Sequence, residues 1–315
     1  MSQVLSTVAA LIKENVETGV YNLVFRDTDL LNLINSRGAG IKPSTGAAPF
    51  QWQVATAANS SAATFTEGQP PPAAGAQTYK RASLNPFYAV ASFGKTGHVK
   101  DNEAKAGYYA EPSLEGMLTE SDVMKKLEDL LCGSTADQGI ASIIDSSDTY
   151  AGLAPGSVTQ WASRETAVGG ALTLTVMADM LQGLVQATDS GVSRGASPDS
   201  ILASPNQIRK YTELAGLAGA ANNSLRLMPS QGGPVDLSLN WAMAQYNSIP
   251  IFRIRTLATS EMYFVEMSDF ELIEHRGLTV KPIVGNAELD AFAVSLGVAL
   301  KVRRRSRHGK MTGLT

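Results

Sequence analysis

Between Pro112 and Ser134 the chain reads PSLEGMLTESDVMKKLEDLLCGS, and Leu114, Met117, Leu118, Met124, Leu127 and Leu131 return to one side about every 3.6 residues. The spacing predicts a long amphipathic helix over 112–134, opened by Pro112 and stopped by Gly133. At about 1.5 Å per residue it extends on the order of 30 Å, enough to cross a small domain. A second helical run, Leu174, Met177, Ala178, Leu181, Leu184 and Val185, has Thr173 available as a cap. A third opens at Ser204-Pro205-Asn206-Gln207, a capping box with proline at the first helical position, and is expected to reach about Leu214.

Upstream, Val4, Leu5, Val8, Leu11, Ile12 and Val16 predict a short helix over 2–17. Residues 20–49 lose that period. Gly38, Gly40, Pro43, Gly46 and Pro49 make a helix improbable there, so the stretch reads as an extended arm. From Phe50 the pattern alternates through Trp52 and Val54, dissolves into Ala and Ser, passes Phe65 and EGQPPPAAGAQ, and returns as a run from Thr78 to Phe93. Three successive prolines cannot sit in a ladder, so this is a hairpin with a protruding tip. A lone hairpin is barely stable in water. It is either a loose surface loop or a ribbon ordered by lying across a neighbouring subunit.

The last third is β. Ile249–Leu257, Glu261–Val265 and Phe270–His275 are short runs, preceded by a strand at Ser200–Ala203. Phe292, Val294, Leu296, Val298, Leu300 and Val302 then occupy every even position of a long half-buried strand, with Gly297 marking a bulge or a close backbone neighbour. The fold class is α+β.

The chain is long enough for a sizeable core, yet only 17% of it is charged, against about 25% in ordinary soluble domains. That balance suits subunits that cover one another, and also a large monomer. Residues 301–315 hold six cations and no acid, so a chain of net charge −3 carries −9 elsewhere. The run Arg303, Arg304, Arg305, Arg307 could neutralise phosphates, but no aromatic interleaves it, and an inter-subunit or solvated tail fits as well. The single Cys132 excludes an intrachain disulfide and reads as a small buried residue. Lys13, Glu14 and Glu17 interrupt any secretory signal, and no apolar run is long enough to span a bilayer. Cytoplasm-like conditions are the expectation.

Catalytic motifs fare poorly. Gly191-Val192-Ser193-Arg194-Gly195 matches a nucleophile elbow, but the elbow needs a strand before the serine and a helix after it, the reverse of this order. Gly94-Lys95-Thr96 resembles the end of a phosphate loop, yet Ala89 stands where the first glycine belongs and the pattern between is a strand. His98, His275 and His308 form no metal-binding spacing, so no cofactor or metal is expected. A triad assembled from distant residues would make a soluble α+β enzyme, and no motif favours one.

The order of elements carries more information. An arm, a hairpin with a Pro-rich tip, a long helix, the turn Tyr150-Ala151-Gly152-Leu153 with Trp161 soon after, a helix, a strand running into Ile201-Leu202-Ala203-Ser204-Pro205, and a β region from Ile249-Pro250-Ile251 form one series. It resembles the major capsid proteins of tailed bacteriophages, which share the Hong Kong 97 fold with encapsulins. The resemblance implies an arm at 1–49, an extended loop at 50–93, a peripheral domain at 94–198 and 282–315 containing the spine helix 112–134, and an axial domain at 199–281. It implies no enzyme, but a virion shell of hexamers and pentamers around double-stranded DNA, assembled in host cytoplasm. The alternative within the fold is an encapsulin-type compartment. Assembly contacts are expected at Trp52, Phe65, Tyr79 and Lys80 of the loop and at Leu118, Met124, Leu127 and Leu131 of the spine. Any scaffolding protein is expected to be separate, with portal and decoration proteins as further partners and no membrane.

Overall fold

The computed structural model describes residues 28–44, 46–57, 64, 78–96, 112–133, 138–186, 195–217, 244–283 and 289–315. The helix expected at 2–17, Phe65, the proline tip and the Gly191–Arg194 part of the elbow match lie outside these residues. Helices are α1 (Asp29–Arg37), α2 (Pro112–Cys132), α3 (Ile140–Ile143), α4 (Leu174–Val185) and α5 (Pro205–Leu217). Strands are β1 (Ile41–Pro43), β2 (Phe50–Ala57), β3 (Thr78–Leu84), β4 (Phe87–Thr96), β5 (Arg164–Gly170), β6 (Ser200–Ala203), β7 (Gln245–Tyr246), β8 (Ile249–Arg253), β9 (Met262–Val265), β10 (Phe270–Ile283), β11 (Leu289–Val302) and β12 (Gly309–Leu314).

The chain falls into two units. One holds, of the described residues, 88–96, 112–127, 276–283 and 289–297, and the other holds the rest. In the first, β10, β11 and β4 lie side by side, and Phe93 stacks on Phe292 at 5.4 Å. Gly297 serves as the expected close neighbour: a Cβ there would stand 2.5 Å from Cε1 of the Tyr88 ring, so only glycine admits that ring.

The second unit is built on a six-stranded sheet in the order β5-β12-β9-β6-β8-β7. Its strands come from both sides of residue 199. β12 pairs parallel with β5 and antiparallel with β9, while β6 pairs antiparallel with β9 and parallel with β8. β6 and β9 are buried at every position, which explains why both read as apolar runs, Ser200 excepted, instead of alternating. Against this sheet Met177, Met180 and Leu184 of α4 and Tyr211 of α5 close a core with Ile201, Phe264 and Met311. Thr173 caps α4 as expected, its Oγ1 accepting from Val176 N at 3.3 Å. The box at α5 forms by half. Ser204 Oγ accepts from Gln207 N at 3.4 Å, whereas the Gln207 amide donates to Thr259 O at 2.6 Å instead of turning back.

Two expectations change. A helix, α1, forms inside the stretch read as extended, because Leu30, Leu31, Leu33 and Ile34 give it a buried face before the glycines begin. The return run from Thr78 is not one strand: Asn85-Pro86 divides it, and proline has no N–H for a ladder. β3 pairs with β2, and β4 joins β11.

The α3 loop is held from within. Arg305, fully buried, donates from Nη1 to Asp148 O at 2.6 Å, from Nη2 to Asp145 O at 2.8 Å and Ser142 O at 3.3 Å, and from Nε to Ile143 O. Lys310 Nζ donates to Ala141 O at 3.2 Å and Asp145 Oδ2 at 2.8 Å. At β11 side chains stand in for a strand. Leu300 N donates to Gln138 Oε1 at 3.2 Å, and the Tyr150 hydroxyl donates to Leu300 O and accepts from Val302 N, both at 2.8 Å.

Replacing Tyr150 by Phe strips two buried main-chain groups of their partner while keeping the ring. It is expected to destabilise the unassembled subunit by about 1–3 kcal/mol, read from the midpoint of urea unfolding; an unchanged midpoint would show the strand edge to be satisfied without it.

Candidate assembly surfaces

β2 and β3 form a two-stranded sheet of their own, with Phe50 opposite Leu84, Trp52 opposite Ala82 and Val54 opposite Lys80. Along β3 exposure rises from buried Leu84 and Ala82 to exposed Tyr79 and Thr78. The ribbon is thus buried at its base, and β3 grows more exposed away from it. Its anchor is aromatic. The Trp52 ring lies 6.4 Å from Tyr150, which stacks on Trp161 at 6.0 Å, and Phe50 meets His275 edge-on at 5.8 Å. Tyr150–Leu153 is a tight turn, with two hydrogen bonds between its ends and positive φ at Ala151 and Gly152. Ala151 O accepts from Ser83 N at 2.8 Å, and Lys80 Nζ donates to Ser157 O at 3.1 Å. The turn is therefore the post on which the ribbon is hung.

Of the loop residues expected to make assembly contacts, Tyr79 is exposed, while Trp52 and Lys80 are half-buried and turned onto their own chain. Phe65 and the Leu118 side chain lie outside the description. Met124 is half-buried. Leu127 and Leu131 are 1% and 0% exposed. They belong to the subunit's own core, which corrects the assignment of these two as contacts between copies.

The basic run is not a loose solvated tail. Arg303, Arg304, Arg305 and Arg307 lie in and around a 3-10 turn between β11 and β12. Arg303 Nη2 meets Glu271 Oε2 at 2.7 Å, Arg304 meets Asp269 at 2.8 Å and Glu266 at 3.0 Å, and Arg307 meets Glu266 at 3.0 Å. Acids 32 to 41 residues earlier thus pair with three of the four arginines that sequence order leaves bare, and the fourth, Arg305, is buried against carbonyls. His308 beneath them is fully buried. Burial, aided by the Arg304 and Arg307 charges, pushes it down to about 3, so it stays neutral.

One site was missed altogether. Glu128 is buried on α2, and its Oε1 and Oε2 accept from Leu30 N at 2.6 Å and Leu31 N at 3.0 Å, capping α1 from 98 residues away. Cys132 Sγ stands 3.8 Å from Oε1 and accepts from Thr256 Oγ1 at 3.0 Å. Asp29 accepts from Arg255 N at 3.2 Å. Burial lifts Glu128 to about 7, although the two amides favour its charge. The available signal was Glu128 beside the Val123, Leu127, Leu131 stripe, where a carboxylate must find donors.

Gly94-Lys95-Thr96 continues β4 as expected, and among the described residues no group of three metal-ligating side chains gathers.

The sequence pattern of the family described as SU10 major capsid protein matches residues 2–315. No curated protein sequence matches the chain. Among solved structures, the capsid asymmetric unit of cyanophage A-1(L) superposes with a TM-score of 0.72 at 17% identity, over 95% of this chain and 96% of that one. The capsid of Myoviridae phage XM1 gives 0.58 at 13%, covering 97% and 98%. The holo-SrpI encapsulin complex of Synechococcus elongatus gives 0.62 at 14%, covering 98% and 95%. At these identities the likeness establishes the fold, the α+β capsid fold expected above.

Unfolded Glu128 ionises near 4.5 and the folded form near 7, so between those values only the folded chain keeps the proton. This group therefore stabilises the fold in acid and that contribution is lost as pH rises from about 4.5 to about 7, by about 3 kcal/mol in all. Urea unfolding of the unassembled subunit across that range should show the decline, and Glu128→Gln should flatten it. Equal slopes in the two proteins would refute the raised carboxyl.

Proposed function

This chain belongs to the SU10 major capsid protein family, and from that premise we propose that its copies associate as hexamers and pentamers and close into an icosahedral virion shell around double-stranded DNA. Assembly takes place in the host cytoplasm, and the work is structural, without a catalytic step. A separate scaffolding protein, a portal and decoration proteins are the further partners. Residues 1–49 act as the arm, 50–93 as the extended loop, 94–198 and 282–315 as the peripheral domain and 199–281 as the axial domain.

The observation that carries this reading is the β2–β3 ribbon. It shares no ladder with another strand among the described residues, yet exposes Tyr79 and Thr78 away from its base. A two-stranded ribbon is marginal in water and gains stability by packing on something else. In a shell, that surface is a neighbouring copy. The low charged fraction agrees, since surface covered by neighbours does not need hydration.

The likeness to an encapsulin motivates the second reading, a compartment around protein cargo. The contents of purified particles decide between them: nuclease-protected DNA fits the virion, and a co-purifying enzyme fits the compartment.

Deleting 66–77 is expected to leave folded subunits that reach capsomer size on a sizing column but close no shells under negative-stain microscopy. Intact shells from the deletion would remove the loop from assembly.

A further inference from the structure

We infer that Lys42, Lys301 and Arg303, gathered around Glu271, form a cationic seat for carboxylates of a second copy of this chain. The inference rests on the shell reading above and names one of its contacts.

The seat is built on one face of neighbouring strands. Lys42 lies opposite Ile273 in the parallel pairing of β1 with β10. Lys301 on β11 and Arg303 just past its end alternate with buried Leu300 and Val302. Glu271 Oε2 takes Arg303 Nη2 at 2.7 Å, Arg303 Nε at 3.2 Å and Lys301 Nζ at 3.5 Å, while Oε1 takes Lys42 Nζ at 3.6 Å. Burial works against ionisation of Glu271, but the Arg303 hydrogen bond and the Lys301 and Arg303 charges, with Lys42, outweigh it and hold its carboxyl below the ordinary value.

Three cations thus face one anion, and the neighbouring clusters are not like this. Arg304 and Arg307 are matched by Glu266 and Asp269, Lys310 faces both Asp145 and Glu165, and Arg305 is buried against carbonyls. Positive charge in excess therefore collects at this one place in the C-terminal region. It is also reachable, with the Lys42 and Arg303 side chains 49% and 45% exposed. Donors remain unspent there. Arg303 commits Nε and Nη2 to Glu271 and keeps Nη1, and the Lys301 ammonium rests 5.6 Å from the ring of Trp52.

The size of the seat selects its occupant. A polynucleotide backbone presents a charge every few ångströms and is held by cations spread along it, and here the excess ends after three residues, bounded by neutralised pairs. A second copy offers separate carboxylates in plenty, because the chain carries −9 outside residues 301–315. Trp52 joins the seat to the β2–β3 ribbon.

The test is assembly of the full-length protein with Lys42→Glu and Arg303→Glu, scored by light scattering and negative-stain microscopy at low and high salt. Each variant should form at least about tenfold fewer particles than the wild type at equal subunit concentration, and wild-type assembly should weaken with salt. Lys42→Gln, which merely deletes the charge of an exposed residue on a short edge strand, should shift assembly in the same direction and carries the decision if Arg303→Glu does not fold. Particles formed by folded Lys42→Glu and Lys42→Gln as readily as by the wild type, with unchanged salt response, overturn the inference. Normal particles that have lost nuclease-protected DNA overturn it in favour of phosphate binding. If the wild type itself makes no particles, the shell reading falls before this one.

Discussion

A guanidinium enclosed by main-chain oxygen is the constraint on which the second unit depends. Arg305 spends its donors on carbonyls of residues 142–148, the segment formed by α3 and the turn after it. Burial lowers its pKa to about 10, so it remains charged near neutral pH. With Lys310 beside it, the segment between Ala141 and Asp148 is drawn onto the β11–β12 connection. Tyr150 follows directly, and its hydroxyl continues the same attachment along β11. The ribbon's anchor is thus one step removed from a buried cation, through Trp52 on Tyr150. Moving Arg305 would disturb the post and everything suspended from it.

What could be read from the chain was whatever repeats locally. α2, α4, α5 and β11 announce themselves by period, and each is found within a few residues of its expected ends. The failures share a cause, which is partnership across long sequence distance. α1 has no local side-chain cap, since Glu128 supplies it, so glycines that only terminate the helix looked like evidence against it. The arginine run looked bare because Glu266, Asp269 and Glu271 stand opposite it only once β10 and β11 align. Leu127 and Leu131 were located correctly on a buried stripe, but a stripe does not reveal whether its cover comes from the same chain or another. For the candidate surfaces, therefore, the residues were largely legible and their allegiance was not.

Membership of a capsid family changes the meaning of ordinary features. Satisfied ion pairs, a buried histidine and a half-buried tryptophan are what a stable monomer needs, and they occupy most of the polar chemistry here. Among the described residues, the contacts proposed above for other copies are the exposed end of β3 and a patch with more cations than anions. Both are modest alone. Repetition is what makes weak contacts sufficient in a closed assembly, because every subunit makes each of them and receives each of them.

β12 sits between β5 and β9, and its partner Arg164–Gly170 precedes it by well over a hundred positions. Such a pairing closes slowly, since a long loop must be gathered first. During translation β5 waits with a bare flank until the ribosome has passed position 309, so the nascent polypeptide cannot complete this sheet early. Chains interrupted before that point lack the strand that joins β5 to β9 and so to the rest of the sheet.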